Sequence, residues 1–343
     1  MQVHLSCNLQ QLLNDGSAPR KLLGKGGYGR VFEQFVPCPS HIAAAACASG
    51  HPEYVAKGVP IIVKEIAHTA ASPAELCEAE AAACIAMSSS RYLPRLYHHL
   101  HGDTQTVLVF EAVSSRPQNL AQRVRACAAA VDGSQHLPLG DMIGIQGDLA
   151  EGLQDMHSLD WCHADVKAEN MVLGEDRAYL VDLGLARKVG EGLIKGRCVG
   201  TAGYIDPLMV WYAGKRWPLK MAACFDWWSA GMVLVYMLVK GNDQRFDEVA
   251  EIAAEYCPIA EGFTRLDRVR KVLEPEVASV VGRFEQELWQ QGKLQQGMQL
   301  VGVREGLLHM VEGLLQRSTE YRWSHVEVLD MVKHLVGLMN GCI

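Results

Sequence analysis

No two of the 11 cysteines in this 343-residue sequence stand in C-x-x-C spacing; they are scattered from Cys7 to Cys342. An odd, dispersed set argues against a disulfide framework and suits a reducing intracellular compartment, cytoplasm or nucleus, with most thiols acting as small core residues. Excess basic charge is missing too. The net charge is −7 and the isoelectric point near 6.0, which leaves no electrostatic footprint for nucleic acid or an anionic membrane. The longest apolar run, Gly231 to Val239, is too short to span a bilayer; bounded by Asp226 and Lys240, it reads as a buried helix. At the amino end, Met1 to Gln10 interleaves Gln2, His4, Ser6 and Asn8 and has no continuous apolar run, so no signal peptide is expected. Gln2 and the ending Asn340-Gly341-Cys342-Ile343 fit no lipidation motif. A last gap is local: from Leu183 to Gly200 there is no Ser, Thr or Tyr, so no hydroxyl there can take a phosphate.

What is present is globular, with 49% hydrophobic residues, enough for one large or two modest cores. Its organising stretch runs from Trp161 to Leu173 and continues through Tyr179-Leu180-Val181-Asp182-Leu183-Gly184. Two apolar segments, Met171 to Leu173 and Tyr179 to Val181, flank a turn marked by Gly174 and Asp176 and predict a β-hairpin. That hairpin would hold Asp165, Lys167, Asn170 and Asp182 on neighbouring loop ends. Carboxylates and an amide oxygen are hard ligands suited to Mg²⁺, a metal that leaves coordination positions to substrate phosphates. The remaining Asp and Lys could orient a hydroxyl and hold a phosphoryl group in transfer.

Upstream, Gly24, Gly26 and Gly29 stand in G-x-G-x-x-G-x-V spacing that ends at Val31. A Rossmann unit would open a helix here. Instead Val31 to Val36 continues as a strand, which favours a hairpin folded over a nucleotide, its glycines letting backbone amides approach phosphate. Ile61 to Ile66 is a β-branched strand carrying Lys64, and an Ala- and Glu-rich helix follows from about Pro73 to Ala86. Thr106 to Val113 reads as a strand leading into a polar stretch, and Met142 to Leu159 as an amphipathic helix. Cys38, His41, Cys47 and His51, in the connection after Val31, match no standard zinc spacing and read as a solvated insert; His98, His99 and His101 read as decorating a surface strand.

His163-Ala164-Asp165-Val166-Lys167-Ala168-Glu169-Asn170, followed by Asp182-Leu183-Gly184, resembles the eukaryotic protein kinase family, whose loops read H-R-D-x-K-x-x-N and D-F-G. The resemblance covers about residues 22–338 and implies an α+β, two-lobed fold. A small β-rich lobe (about 22–110), a hinge (111–119) and a larger helical lobe (120–338) would follow an extension, 1–21. It implies ATP and Mg²⁺ as cofactors and a protein substrate with a Ser or Thr acceptor. Asp165 would orient the acceptor hydroxyl, Lys167 neutralise the γ-phosphate, and Asn170 and Asp182 hold the metal. Gly24, Gly26, Gly29 and Val31 would cover the nucleotide, and Lys64 would reach its α- and β-phosphates. Glu80 is the implied partner of Lys64, with Glu78 second. Phe110 would back the adenine pocket, Glu111 and Val113 supply the hinge, and Thr201, in Gly200-Thr201-Ala202-Gly203-Tyr204, would help dock substrate by bonding Asp165 and Lys167.

The sequence departs from the family at three places. Ala164 replaces the arginine that pairs with an activation-loop phosphate, Leu183 replaces phenylalanine in D-F-G, and Asp206-Pro207-Leu208 replaces A-P-E. Leu183 keeps an apolar anchor. The first departure agrees with the absence of any phosphate acceptor between Leu183 and Gly200, so activity without activation-loop phosphorylation is expected. The last is expected to leave Arg322 without its glutamate partner and the docking loop looser. Asp226, opening Asp226-Trp227-Trp228-Ser229-Ala230-Gly231, is expected to cap amides near the catalytic loop. Two other readings stand beside the Ser/Thr kinase: a pseudokinase acting as a binding module, and a small-molecule phosphotransferase.

Overall fold

A computed structural model describes residues 20–26, 29–36, 59–69, 74–130, 136–189, 200–211, 219–255, 262–294, 300–316 and 318–341. The cysteine and histidine insert, Pro73 and the stretch 190–199 lie outside the described residues. By its internal contacts the chain divides into two units, Met1–Pro117 and Gln118–Ile343.

The first unit is an antiparallel sheet in the order β1-β2-β3-β5-β4, built from β1 (Arg20–Gly26), β2 (Gly29–Val36), β3 (Val59–Ala67), β4 (Leu96–His101) and β5 (Gln105–Glu111). β-Branched residues suit this pleated, half-buried surface, and Ile61, Val63 and Val109 form one fully buried cluster. The other face receives α1 (Ala74–Ala86), through Cys77 and Ala81 against Ile66 and Leu108, with Phe110 packed at the margin. The glycine motif opens no helix: β1 and β2 pair directly, Gly26 opposite Gly29. Gly29 requires its lack of a side chain. Its φ is 119°, and an added Cβ would lie 2.2 Å from the Glu65 carbonyl oxygen of β3. The histidine strand is less exposed than its polarity suggests. His98 and His99 are half-buried, His99 Nε2 is buried, and His101 Nδ1 lies 3.2 Å from the Thr106 hydroxyl.

The second unit begins with β6 (Gln118–Asn119), where Asn119 caps α2 (Leu120–Ala128) in a reciprocal capping box with Gln122. α3 (Leu139–Ser158) starts three residues earlier than its apolar period indicated, because Pro138 sets the entry. Beyond it come β7 (Trp161–Cys162), a 3₁₀ turn at Ala168–Asn170, β8 (Met171–Leu173) and β9 (Ala178–Leu180). β6, β8 and β9 form one small sheet, and β7 pairs with β10 (Arg187–Lys188). Five further helices and a short α4 complete the unit: α4 (Pro207–Trp211), α5 (Leu219–Leu238), α6 (Asp243–Ala254), α7 (Gly262–Gln290), α8 (Val301–Leu314) and α9 (His325–Asn340). α5 contains most of the Gly231–Val239 run and is the axis of the core, buried on every side from Phe225 to Leu238. No helix among the described residues is long and apolar enough to cross a membrane, and no disulfide joins any two of the described cysteines, Cys77, Cys84, Cys127, Cys162 and Cys224.

Candidate active site

In the first unit, Lys64 lies mid-strand in β3, opposite Val31 in the β2–β3 register. Its side chain is 9% exposed, and Nζ lies 2.6 Å from Glu80 Oε1 on α1, itself 4% exposed. A desolvated pair of this kind is held by its geometry, since either charge left alone would cost several kcal/mol. Glu78, also on α1, is exposed and lies 3.7 Å from His101 instead. Gly24 sits on β1, where an added Cβ would meet nothing within 4 Å. Glu111 ends β5 and accepts a 2.9 Å hydrogen bond from the Arg95 amide; Val113 follows two residues later, half-buried.

The second unit assembles the polar loop from its supports inward. Asp226, in α5, is completely buried and accepts from the amides of His163 (2.8 Å) and Ala164 (2.9 Å) and from His157 Nε2 (2.9 Å). Burial pushes its carboxyl up, but the His157 hydrogen bond, the electrostatic pull of the two imidazoles and the His163 amide outweigh that and hold it below the usual value. His163 is fixed as well. Its Nδ1 accepts from the Asp165 amide (3.2 Å), so Nε2 carries the proton and donates to the Val181 carbonyl (3.1 Å). Ala164 at φ 63° and Asp182 at φ 67° adopt left-handed conformations that cost non-glycine residues energy, and strain of this kind clusters at functional sites.

On this support four predicted residues meet. Lys167 Nζ donates to Asp165 Oδ2 and to Thr201 Oγ1, each at 2.7 Å, and the Thr201 hydroxyl donates to Asp165 Oδ1 at 2.7 Å. Asn170 Nδ2 donates to the Asp165 carbonyl (2.9 Å) and to Oδ2 (3.2 Å). Asp165 is 6% exposed, with Lys167 and Asn170 donating to Oδ2 and the Thr201 hydroxyl to Oδ1. Asp182, half-buried, begins the 3₁₀ turn Leu183–Leu185, and the preceding Val181 amide donates to the Asn170 carbonyl (2.9 Å). The donor set fits Mg²⁺: the Asn170 amide nitrogen is committed inward, which leaves its carbonyl oxygen as the atom that would ligate, and Asp182 would supply a carboxylate from the adjoining turn.

One expectation is overturned. Arg322 has not lost its partner: it forms a fully buried ion pair with Asp206, and it also donates to the carbonyls of Gln316 and Cys224, both at 2.7 Å. Its guanidinium stands 5.2 Å from the Trp228 ring centre. The carboxylate missing at Leu208 is supplied two residues earlier, by an Asp whose other oxygen caps the Leu208 amide at 2.8 Å. The docking segment is therefore tied down, not loosened. Asp immediately before Pro207 was the available signal, since that pair is a helix N-cap pattern. Sequence reasoning also missed His157 and Ser229; the Ser229 hydroxyl donates to the Tyr204 carbonyl at 2.8 Å.

The sequence profile of the family described as "Protein kinase domain" matches residues 53–334. Among curated proteins, the chain is 25% identical over 300 residues to serine/threonine-protein kinase B of Synechocystis, covering 81% of this chain and 46% of that protein. It is 32% identical over 125 residues to human cGMP-dependent protein kinase 2, covering 36% and 15%. A third match, 37% over 89 residues, is to the muscle M-line assembly protein unc-89 of Caenorhabditis elegans, covering 26% and 1%. The chain thus spans less than half the length of these curated relatives.

Proposed function

Because this chain belongs to the protein kinase domain family, we propose that it is an ATP- and Mg²⁺-dependent kinase that transfers the γ-phosphate to a Ser or Thr hydroxyl of a protein. The observation that carries this reading is the triangle of Asp165, Lys167 and Thr201, closed by three hydrogen bonds of 2.7 Å. It orients one carboxylate as acceptor for a hydroxyl proton and puts an ammonium beside it. A small-molecule phosphotransferase has no evident use for the Thr201 arm.

In this mechanism Asp165 aligns the acceptor hydroxyl and takes its proton as the phosphoryl group departs from ADP. Lys167 neutralises charge on the transferred group and, through Thr201, fixes the segment on which the protein substrate docks. Lys64, positioned by Glu80, bonds the α- and β-phosphates, while the glycine hairpin offers backbone amides. Asn170 and Asp182 would hold Mg²⁺, which when bound would supply charge screening at the phosphate oxygens.

The same reading makes activation-loop phosphorylation unnecessary. Ala164 belongs to a buried apolar cluster with Cys162, Leu185, Met209 and Phe225, onto which Val189, Ile205 and Leu208 pack. Thr201 and Asp206 fasten the same segment by polar contacts. Apolar packing thus occupies the place where an arginine would await a phosphate.

The deciding experiment is a Mg-ATP assay on generic Ser/Thr peptides, with Lys64→Met and Asp165→Ala beside the wild type. Loss of one part of such a site costs orders of magnitude in rate, so both variants should fall about 100-fold or more. Equal turnover in all three would favour a binding module, and phosphorylation of sugars with none on peptides would favour the small-molecule class.

A further inference from the structure

We propose a second ligand site in the Gln118–Ile343 unit: the cavity framed by the later turns of α2, the entry to α3 and the last turns of α7 binds a small carboxylate carried on a flat apolar body. The cavity measures about 420 Å³, inside the range of sites that enclose drug-sized molecules. Its wall includes buried apolar side chains, Cys127, Leu137 and Val280, with the half-buried Phe284 ring beside them. Such a surface rewards an aromatic or branched body by removing apolar area from water.

The polar groups select the sign of charge. Arg123, on the exposed side of α2, lines the cavity without an ion pair among the described residues. Arg283 lines it from α7, its Nε donating to Glu287 Oε1 at 3.2 Å. Among the described lining residues two guanidiniums face one acid, a balance that favours a monoanion over an ammonium. His136 adds no further charge near neutral pH: burial, with Lys240 and Arg283 nearby, pushes it down to about 4. It is 6% exposed, Nε2 lies 2.9 Å from the Ser279 hydroxyl, and Nδ1 is a buried polar atom with no hydrogen-bond partner. Buried polar atoms are rarely left so, and the ring that carries this one lines the cavity. Fork-shaped guanidinium groups meet a carboxylate with two donors at once, a geometry that an amide cannot exploit as strongly.

The site shares no residue with the phosphoryl-transfer groups, so its test stands or falls separately from the kinase reading. Naphthalene carboxylate, naphthalene carboxamide and naphthylmethylamine are titrated into the full chain by isothermal calorimetry. Saturable binding of the carboxylate is expected, about tenfold tighter than the amide, with no binding of the amine; tenfold is the size of one charge-assisted contact. Arg123→Gln should remove that advantage and leave amide binding unchanged. Ala126→Trp, which fills the cavity from the exposed face of α2, should abolish both. Unchanged melting temperatures in the two variants certify folding. Equal binding of the three compounds, no saturable binding below millimolar concentration, or carboxylate affinity that survives both substitutions overturns the proposal.

Discussion

Arg322 brings a positive charge to a position with no solvent exposure, and Asp206 meets it with equal burial. Two ions at that depth surrender their hydration, and their attraction plus hydrogen bonds to two carbonyls must offset the loss. Removing both partners together should therefore cost less than the two single removals added up. Arg322→Met or Asp206→Asn is expected to cost about 3–5 kcal/mol in denaturant unfolding, and the double variant distinctly less than the sum. Gly29 makes a second case at this scale. Because φ is 119° and the Glu65 carbonyl oxygen stands 2.2 Å from the position of a Cβ, Gly29→Ala should destabilise the glycine hairpin by about 1–3 kcal/mol. Nucleotide affinity should fall with it, whereas Gly24→Ala, with open space around it, should leave the melting curve alone.

Among the elements, the loop carrying Asp165 depends most on a carboxylate outside it. Asp226 gathers the amides of His163 and Ala164 from the first turns of α5, so its ionisation and the shape of the loop are linked. A carboxyl whose value is lowered by folding stabilises the protein fully above the unfolded value of about 4, and that stabilisation is lost as pH falls through the folded value. His136 acts in a separate window. Its value is lowered from 6.5 to about 4, so the unfolded chain binds more protons between those pH values and stability rises with pH across them. Thermal melts against pH should thus show two acid-side losses. His136→Gln should flatten the one between pH 6.5 and 4, and Asp226→Asn the one below about 4, at the expense of stability at neutral pH. Legibility at this scale followed distance along the chain. The paired segments β8 and β9, the β1–β2 hairpin and α1 were readable from local pattern, the ends of β8 and β9 within a residue. The His157 contact to Asp226 spans 69 positions and has no local signature.

For the whole molecule, the prediction concerns regulation. On the proposed reading, the cluster around Ala164, Thr201 and Asp206 would anchor the docking segment without an added phosphate. Exhaustive phosphatase treatment should leave peptide phosphorylation unchanged. Thr201→Val should lower kcat about tenfold or more, because it removes a bond to each of Asp165 and Lys167, while Thr201→Ser should retain most of the rate. A dephosphorylated protein that loses its activity, with Thr201→Val harmless, would reverse this account.

By itself the sequence determined the chemistry on offer: Asp165, Lys167 and Asn170 lie within six positions of one another, so their meeting is a property of one loop and its hairpin. The same holds for the strand lysine and the spacing that singles out Glu80 on the following helix. Only the tertiary structure decided what holds the docking segment, since Asp206 and Arg322 are 116 positions apart and their pairing depends on α5 and Trp228 packing beside them. Local spacing encodes which groups share a turn of backbone. Which distant carboxylate neutralises a buried guanidinium is settled by the core, where an unpaired charge is too costly to remain.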